Sequence, residues 1–138
     1  MSRFARKVAL VTGGGSGIGA AIARQLGKEG ASVIVTDINL EAAERVAQEI
    51  TVVGGTATAF AQNTAKWQDS ESAVEFAKKT YGGLHLAVNN AGIGGQAATI
   101  GDYDIESWDR VRAINLDGVF YGLKFQLPAI VASGGGAI

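Results

Sequence analysis

Apolar and polar positions along the chain follow two rhythms. Short apolar runs, rich in β-branched residues, occur at "KVALVT" (7–12), "ASVIVTD" (31–37), "TATAFA" (56–61) and "LHLAVNN" (84–90), and each reads as a strand. Between them the apolar residues recur with the period of a helix. Ile18, Ile22 and Leu26 predict a helix over 17–29, stopped by Gly30. Leu40, Ala43, Val46, Ala47 and Ile50 predict a second, ended by Gly54-Gly55. Ala73, Phe76, Ala77 and Thr80 mark a third, closed by Gly82-Gly83. Val111, Ile114, Gly118, Tyr121, Gly122 and Phe125 line one face of a long helical region over roughly 105–132, with Pro128 near its end. Gly118 and Gly122 lie one turn apart, which lets this helix approach a neighbour closely. A glycine-rich loop near 92–102 precedes it, and "GGGAI" opens a fifth strand.

Strand and helix alternate throughout, which predicts an α/β fold with a doubly wound parallel sheet and helices on both faces. No linker or repeat interrupts the pattern, so residues 1–138 read as a single domain.

Composition narrows the function. A net charge of -1 and the lack of a basic run argue against nucleic acid as a partner. The chain has no cysteine and one histidine, His85, so neither a metal site nor a histidine triad has material to build on. No apolar stretch approaches the roughly 18 residues of a membrane span, and a cytoplasmic location is expected. His85 reads as a packed or surface-facing side chain. The 20 glycines cluster between the periodic segments, where turns need them.

The densest cluster is "TGGGSGIGA" (12–20), leaving the first strand and opening the first helix. Glycines there let the backbone turn tightly and approach a pyrophosphate, and the helix start offers free N–H groups and partial positive charge. Ser16 adds a hydroxyl. The spacing is Gly13-x-x-x-Gly17-x-Gly19, and no Gly-Lys-Ser/Thr follows, so a P-loop fits poorly. A glycine turn without ligand is the alternative. Asp37 ends the second strand, where a carboxylate can accept both hydroxyls of an adenosine ribose. It would repel a 2′-phosphate, and the loop offers no arginine or lysine to attract one, so NAD is favoured over NADP. The alternative role for Asp37 is a cap on the helix over 39–50. Asn89 and Asn90 close the fourth strand and need hydrogen-bond partners there, from the strand ends or the cofactor.

Together, Thr12-Gly13-x-x-x-Gly17-x-Gly19, Asp37, Asn89-Asn90-Ala91-Gly92 and "NLDGVF" (115–120) closely resemble the short-chain dehydrogenase/reductase family over essentially the whole chain. The resemblance implies a Rossmann-type fold with NAD over the strand ends. It implies that Gly13, Gly15, Ser16, Gly17, Ile18 and Gly19 cradle the pyrophosphate and adjoining ribose, and that Asp37 and Ile38 bind the adenine ribose. Asn63 and Thr64 stand where the family usually has aspartate and an aliphatic residue around the adenine, and the Asn63 amide oxygen can still accept from the adenine amino group. Asn90, Ala91 and Gly92 would line the cofactor channel, Ile114 the adenine side. Asn115 matches the asparagine that supports a proton-relay water. His85 stands where the family often has aspartate.

The implied chemistry is hydride transfer between nicotinamide and an alcohol or ketone. It relies on a serine after the fifth strand and a Tyr-x-x-x-Lys on the next helix. Tyr81, Tyr103 and Tyr121 are followed four residues later by His85, Ser107 and Phe125, and Ser133 precedes the fifth strand. "YGLK" (121–124) has the wrong spacing and reads as a core tyrosine with a solvated lysine. By the family pattern the chain is expected to be truncated near the start of the fifth strand and, as it stands, inactive. Two further readings remain: a non-catalytic NAD-binding module, and a methyltransferase, which "NNAG" and "NLDGVF" disfavour. The family also implies a homo-dimer or homo-tetramer built on the helix carrying 111–125.

Overall fold

The computed structural model describes residues 2–138. The apolar runs become four strands, β1 (Val8–Val11), β2 (Ser32–Asp37), β3 (Thr56–Ala61) and β4 (Leu86–Val88), paired in parallel in the order β3-β2-β1-β4. The helices between them are α1 (Gly17–Lys28), α2 (Leu40–Val52) and α3 (Trp67–Tyr81). After β4 come a short 3-10 turn (Ile100–Asp102), α4 (Ile105–Arg112), a π turn (Ala113–Asp117) and α5 (Gly118–Ala132). The most apolar runs, β1 and β2, take the inner positions and are covered on both faces. Ala9, Val11, Val33 and Val35 pack with residues of α1 and α2. Val8, Leu10 and Ile34 turn the other way, towards α3 and the end of α5. The period of two along each strand thus divides the core into two layers, the doubly wound arrangement that the alternation predicts.

Several boundaries move. In α1 the buried face is Gly19, Ala20, Ala23 and Gly27, while Ile18 is 74% exposed. Small residues win that face because the helix runs close to α2: a Cβ at Gly27 would stand 2.6 Å from the Ile50 Cγ2. Leu40, placed on the apolar stripe of α2, is 41% exposed because it sits beside the cap, and Asn39 fills the cap by accepting from the Ala42 N–H at 3.1 Å. β4 is shorter than predicted, so Asn89 and Asn90 lie beyond its end. The long helical region does run from Ile105 to Ala132, with a π turn inside it that is closed by the Gly118 N–H bonded to the Ala113 carbonyl. Gly118 and Gly122 do permit close approach, but to loops rather than to a helix. Cβ atoms there would meet Thr64 at 3.0 Å and the Asn89 Oδ1 at 2.6 Å. The fifth strand is represented by a single parallel bridge, Leu86 to Ala137.

His85 is half-buried and structural. Its Nδ1 accepts the Val8 N–H at 3.0 Å, and its carbonyl accepts the Ala137 N–H at 3.0 Å. The imidazole therefore needs a lone pair on Nδ1, which only the neutral ring supplies. Burial pushes its pKa below the ordinary 6.5, and the nearby Lys7 charge adds to the shift. A folded value below the unfolded one means that the unfolded chain binds the proton first. The stabilising contribution is thus complete above 6.5 and is lost as pH falls through the depressed folded value. Thermal melts between about pH 5 and 8 are expected to show stability declining on the acidic side, with a smaller decline in His85→Asn. An equal decline in both proteins would exclude His85 as its source.

Candidate nucleotide site

β1 and β4 are neighbours; β1 leads into α1, which packs on one face, while the segment after β4 leads on to α5, whose end packs on the other. A crevice opens between them at the carboxyl ends of the strands, where such sheets hold ligands. Its volume is about 510 Å³, and it gathers Gly13, Ser16, Gly17, Ile18, Asp37, Ile38, Asn63, Thr64, Asn90, Ala91, Gly92 and Ile114 from the candidate residues. Gly15, Gly19 and Asn115 lie behind this surface and shape it. Larger concavities of about 620 and 790 Å³ lie between α3 and α5 and at the opposite end of the sheet, away from these residues.

The glycines divide the work of the loop. Gly13 has φ +60° and lies so close to the segment after β4 that a Cβ would stand 2.9 Å from the Ala91 Cα. Gly17 has φ +52° and faces open space, so a ligand can reach its backbone. A Cβ on Gly19 would run into the Gly13 carbonyl and the Asn90 side chain. Ser16 is the N-cap residue of α1 and is exposed, with no side-chain cap bond. The first turn closes with the Ala20 N–H on the Ser16 carbonyl, which leaves the N–H groups of Gly17, Ile18 and Gly19 without a helical partner. These donors and the helix dipole form a cradle for an anion such as pyrophosphate.

Asp37 is held in place at the end of β2. Its Oδ2 accepts the Gly15 N–H and its Oδ1 the Asn39 N–H, each at 3.0 Å. It is not the cap of α2, a role that belongs to Asn39. Ile38 beside it is 71% exposed and supplies an apolar wall at the crevice mouth. A feature that the sequence reading missed stands here: Arg45 reaches back from α2, its Nη2 3.5 Å from the Gly15 carbonyl. The loop itself has no cation, but the fold brings one to it. Only the helical phase of α2 could have signalled this.

After β3, the Asn63 Oδ1 already accepts the Ala65 N–H at 3.0 Å, so only its second lone pair is open to an adenine. Thr64 is buried against Gly118. Gln62, not among the candidates, also lines the crevice. It is 4% exposed, donates to the Ser70 Oγ at 3.2 Å, and leaves its Oε1 without a partner. A glutamine just past an apolar strand was the available signal. Ile93 is a second lining residue not foreseen.

The asparagines are girders. The Asn89 and Gln126 side-chain amides bond reciprocally at 2.9 and 2.8 Å, tying the end of β4 to α5. Asn90 Nδ2 donates to the carbonyls of Thr12 and Gly13, at 3.0 and 3.2 Å. Thr12 Oγ1 accepts the N–H groups of Asn90 and Ala91, both at 3.0 Å. Asn115, in the π turn, pairs with Ile93: Oδ1 accepts its N–H and Nδ2 donates to its carbonyl, both at 2.9 Å. That side chain spends one acceptor and one donor on holding the segment after Gly92.

The other tyrosines and Ser133 work elsewhere. The Tyr81 hydroxyl bonds Thr58 Oγ1 at 2.8 Å, and Tyr103 Oη accepts the Gln96 N–H at 3.1 Å. Ser133 Oγ accepts the Leu84 N–H at 3.1 Å. Lys124 is exposed as expected, while Tyr121 is half-buried rather than in the core. Among the described residues no cluster of three potential metal ligands occurs, and no helix is long and apolar enough to cross a membrane.

A family model described as short chain dehydrogenase matches residues 7–138. The chain is 53% identical over 137 residues to a cyclohexanol dehydrogenase of Acinetobacter sp. (strain SE19), covering 99% of this chain and 55% of that protein. It is 39% identical over 140 residues to a 2,5-dichloro-2,5-cyclohexadiene-1,4-diol dehydrogenase of Sphingobium indicum, covering 99% and 54%. It is 38% identical over 136 residues to a 3-alpha-(or 20-beta)-hydroxysteroid dehydrogenase of Mycobacterium tuberculosis, covering 99% and 51%. The chain spans about half the length of the curated relatives it matches.

Proposed function

The chain belongs to the short-chain dehydrogenase family, and from that premise we propose that it carries the nucleotide-binding part of an NAD-dependent alcohol oxidoreductase. Bound in the crevice, NAD would supply the hydride acceptor. The chain's own residues bind and orient it. The N–H groups at the start of α1 take the pyrophosphate, and Gly17 leaves its approach open. Asp37 accepts the adenosine ribose hydroxyls beside Ile38, and Asn63 and Thr64 flank the adenine. Asn90, Ala91, Gly92 and Ile114 form the channel wall. Asn115 supports that wall through Ile93 and, in the proposed reaction, the proton relay.

The observation that carries the NAD preference is the fixed Asp37 carboxylate at the crevice edge. A carboxylate accepts two hydroxyls well and repels a 2′-phosphate. Titrating NAD and NADP into the protein is expected to give the tighter constant for NAD. Asp37→Ala should narrow the ratio by about tenfold or more, the equivalent of one charge-assisted hydrogen bond. An unchanged ratio would remove Asp37 from the ribose site.

Cyclohexanol, the 3-alpha- or 20-beta-hydroxysteroids and the cyclohexadienediol of the relatives' names are all secondary alcohols. We propose a secondary alcohol, or the matching ketone, as the substrate of the whole protein. No Tyr-x-x-x-Lys occurs in this sequence, so residues 1–138 alone are expected to bind NAD without reducing it in the presence of cyclohexanol. Leu116, Phe120, Leu127 and Val131 form an exposed apolar stripe along the π turn and α5, which supports a homo-dimer or homo-tetramer.

A further inference from the structure

Gly15 is flanked by opposite charges, one bonded firmly and one loosely. Its N–H is bonded to the Asp37 carboxylate at 3.0 Å, and its carbonyl faces the Arg45 guanidinium at 3.5 Å. Ala42 and Arg45 are three residues apart on α2 and share a face. A Cβ at Gly15 would stand 2.8 Å from the Ala42 Cβ, so this face of α2 is pressed against the glycine loop. Arg45 is exposed and, among the described residues, forms no ion pair with a carboxylate. Its one bond to the loop is long and therefore weak, so re-aiming the guanidinium costs little. Asp37, by contrast, is anchored by two main-chain N–H groups.

We propose that Arg45 is a second determinant of cofactor choice, a phosphate partner held beside the ribose carboxylate. This rests on the nucleotide reading of the crevice. A 2′-phosphate at a ribose held near Asp37 meets that carboxylate's repulsion and, one glycine away, a guanidinium with several free N–H donors. Discrimination between NAD and NADP is then a difference between two opposed charges, not the work of one. Removing Asp37 alone unmasks Arg45, and removing both leaves the 2′ position with neither.

A double-mutant cycle tests this. NAD and NADP are titrated into the protein, Asp37→Asn, Arg45→Met and the double variant, with thermal melts to establish that each is folded. Asp37→Asn is expected to tighten NADP by about tenfold or more, because a bidentate guanidinium–phosphate contact becomes available. In the Arg45→Met background the same change should tighten NADP by no more than about twofold. Arg45→Lys should retain an intermediate gain, since a lysine keeps the charge and loses the fork. The gain should also shrink as salt is raised. An equal NADP gain in both backgrounds would overturn the proposal, because carboxylate removal alone would then explain it. So would an Arg45→Met variant weakened equally towards both nucleotides, which would make Arg45 a loop support. If the unaltered protein binds neither nucleotide, it is the reading of the crevice that fails, and the proposal falls with it.

Discussion

Gly19→Ala is expected to cost about 1–3 kcal/mol of stability and to weaken NAD by about a hundredfold or more. Helix propensity points the other way, since alanine in a helix is favoured over glycine by about 1 kcal/mol. Collision decides the sign. The new methyl group would run into the Gly13 carbonyl, and it would lie 2.5 Å from the Asn90 Nδ2 and 2.9 Å from the Gly13 carbonyl carbon. Gly13 cannot retreat, because its other side is closed by Ala91 and its φ of +60° is already one that few residues adopt. Relief would require the loop and the Asn90 segment to separate, which opens the crevice. Gly17→Ala is the control. Its Cβ meets nothing within 4 Å, so it suffers only from φ +52°, at about 1 kcal/mol. Urea melts and NAD titrations of the two variants should therefore differ most in stability. Equal stabilities would show that the close approach at Gly19 is not the constraint.

Thr12→Val is the second large effect, and it changes almost no volume. Thr12 is 2% exposed, and its hydroxyl oxygen receives two main-chain N–H groups, those of Asn90 and Ala91. Valine fills the same space and accepts neither. Leaving both donors unpaired is expected to cost about 2–4 kcal/mol together, since each buried orphan costs about 1–3 kcal/mol and these are half-buried. The loss should appear in equilibrium unfolding and as weaker NAD binding, because the two N–H groups belong to the crevice wall. Thr12→Ser keeps the acceptor and should recover most of both. If the serine variant were as weak as the valine one, lost packing of the methyl group would be the cause instead.

These two residues also mark how far the sequence could be read. The glycine spacing and the terminal aspartate of β2 are local signals, and the structure brings Gly13, Gly17 and Asp37 to one crevice. Thr12 looked like the last residue of an apolar run. Its role emerges only when β4 comes alongside β1, and nothing local encodes that meeting. Of the stripe Ile18, Ile22, Leu26, the last two do pack half-buried against the core, but a hydrophobic period cannot see the centre of that face, made of Gly19, Ala20, Ala23 and Gly27. Close packing selected size there, not hydrophobicity. Asn115 was legible as a motif but not as a clamp on Ile93, since that pairing depends on the π turn shifting the helix by a residue. Arg45 was invisible for the same reason in reverse: it lies 30 residues from Gly15, and only the packing of α2 brings it close.

The strand order has a kinetic meaning as well. The joint of β1 with β2 links residues 25 apart, such as Thr36 and Val11, whereas its joint with β4 links residues 77 apart, Val8 and His85. Closing the longer loop costs about 1 kcal/mol more in chain entropy, and non-local pairings form late in folding. The crevice lies on that second joint. Its walls are therefore expected to assemble after the β1–β2–β3 half and to be the first part of the sheet to open again, which hydrogen exchange would show. A ligand that spans Gly17 on one side and Ala91 on the other closes this seam. It would slow exchange of the amides that Thr12 holds more than exchange of those in β2 and β3.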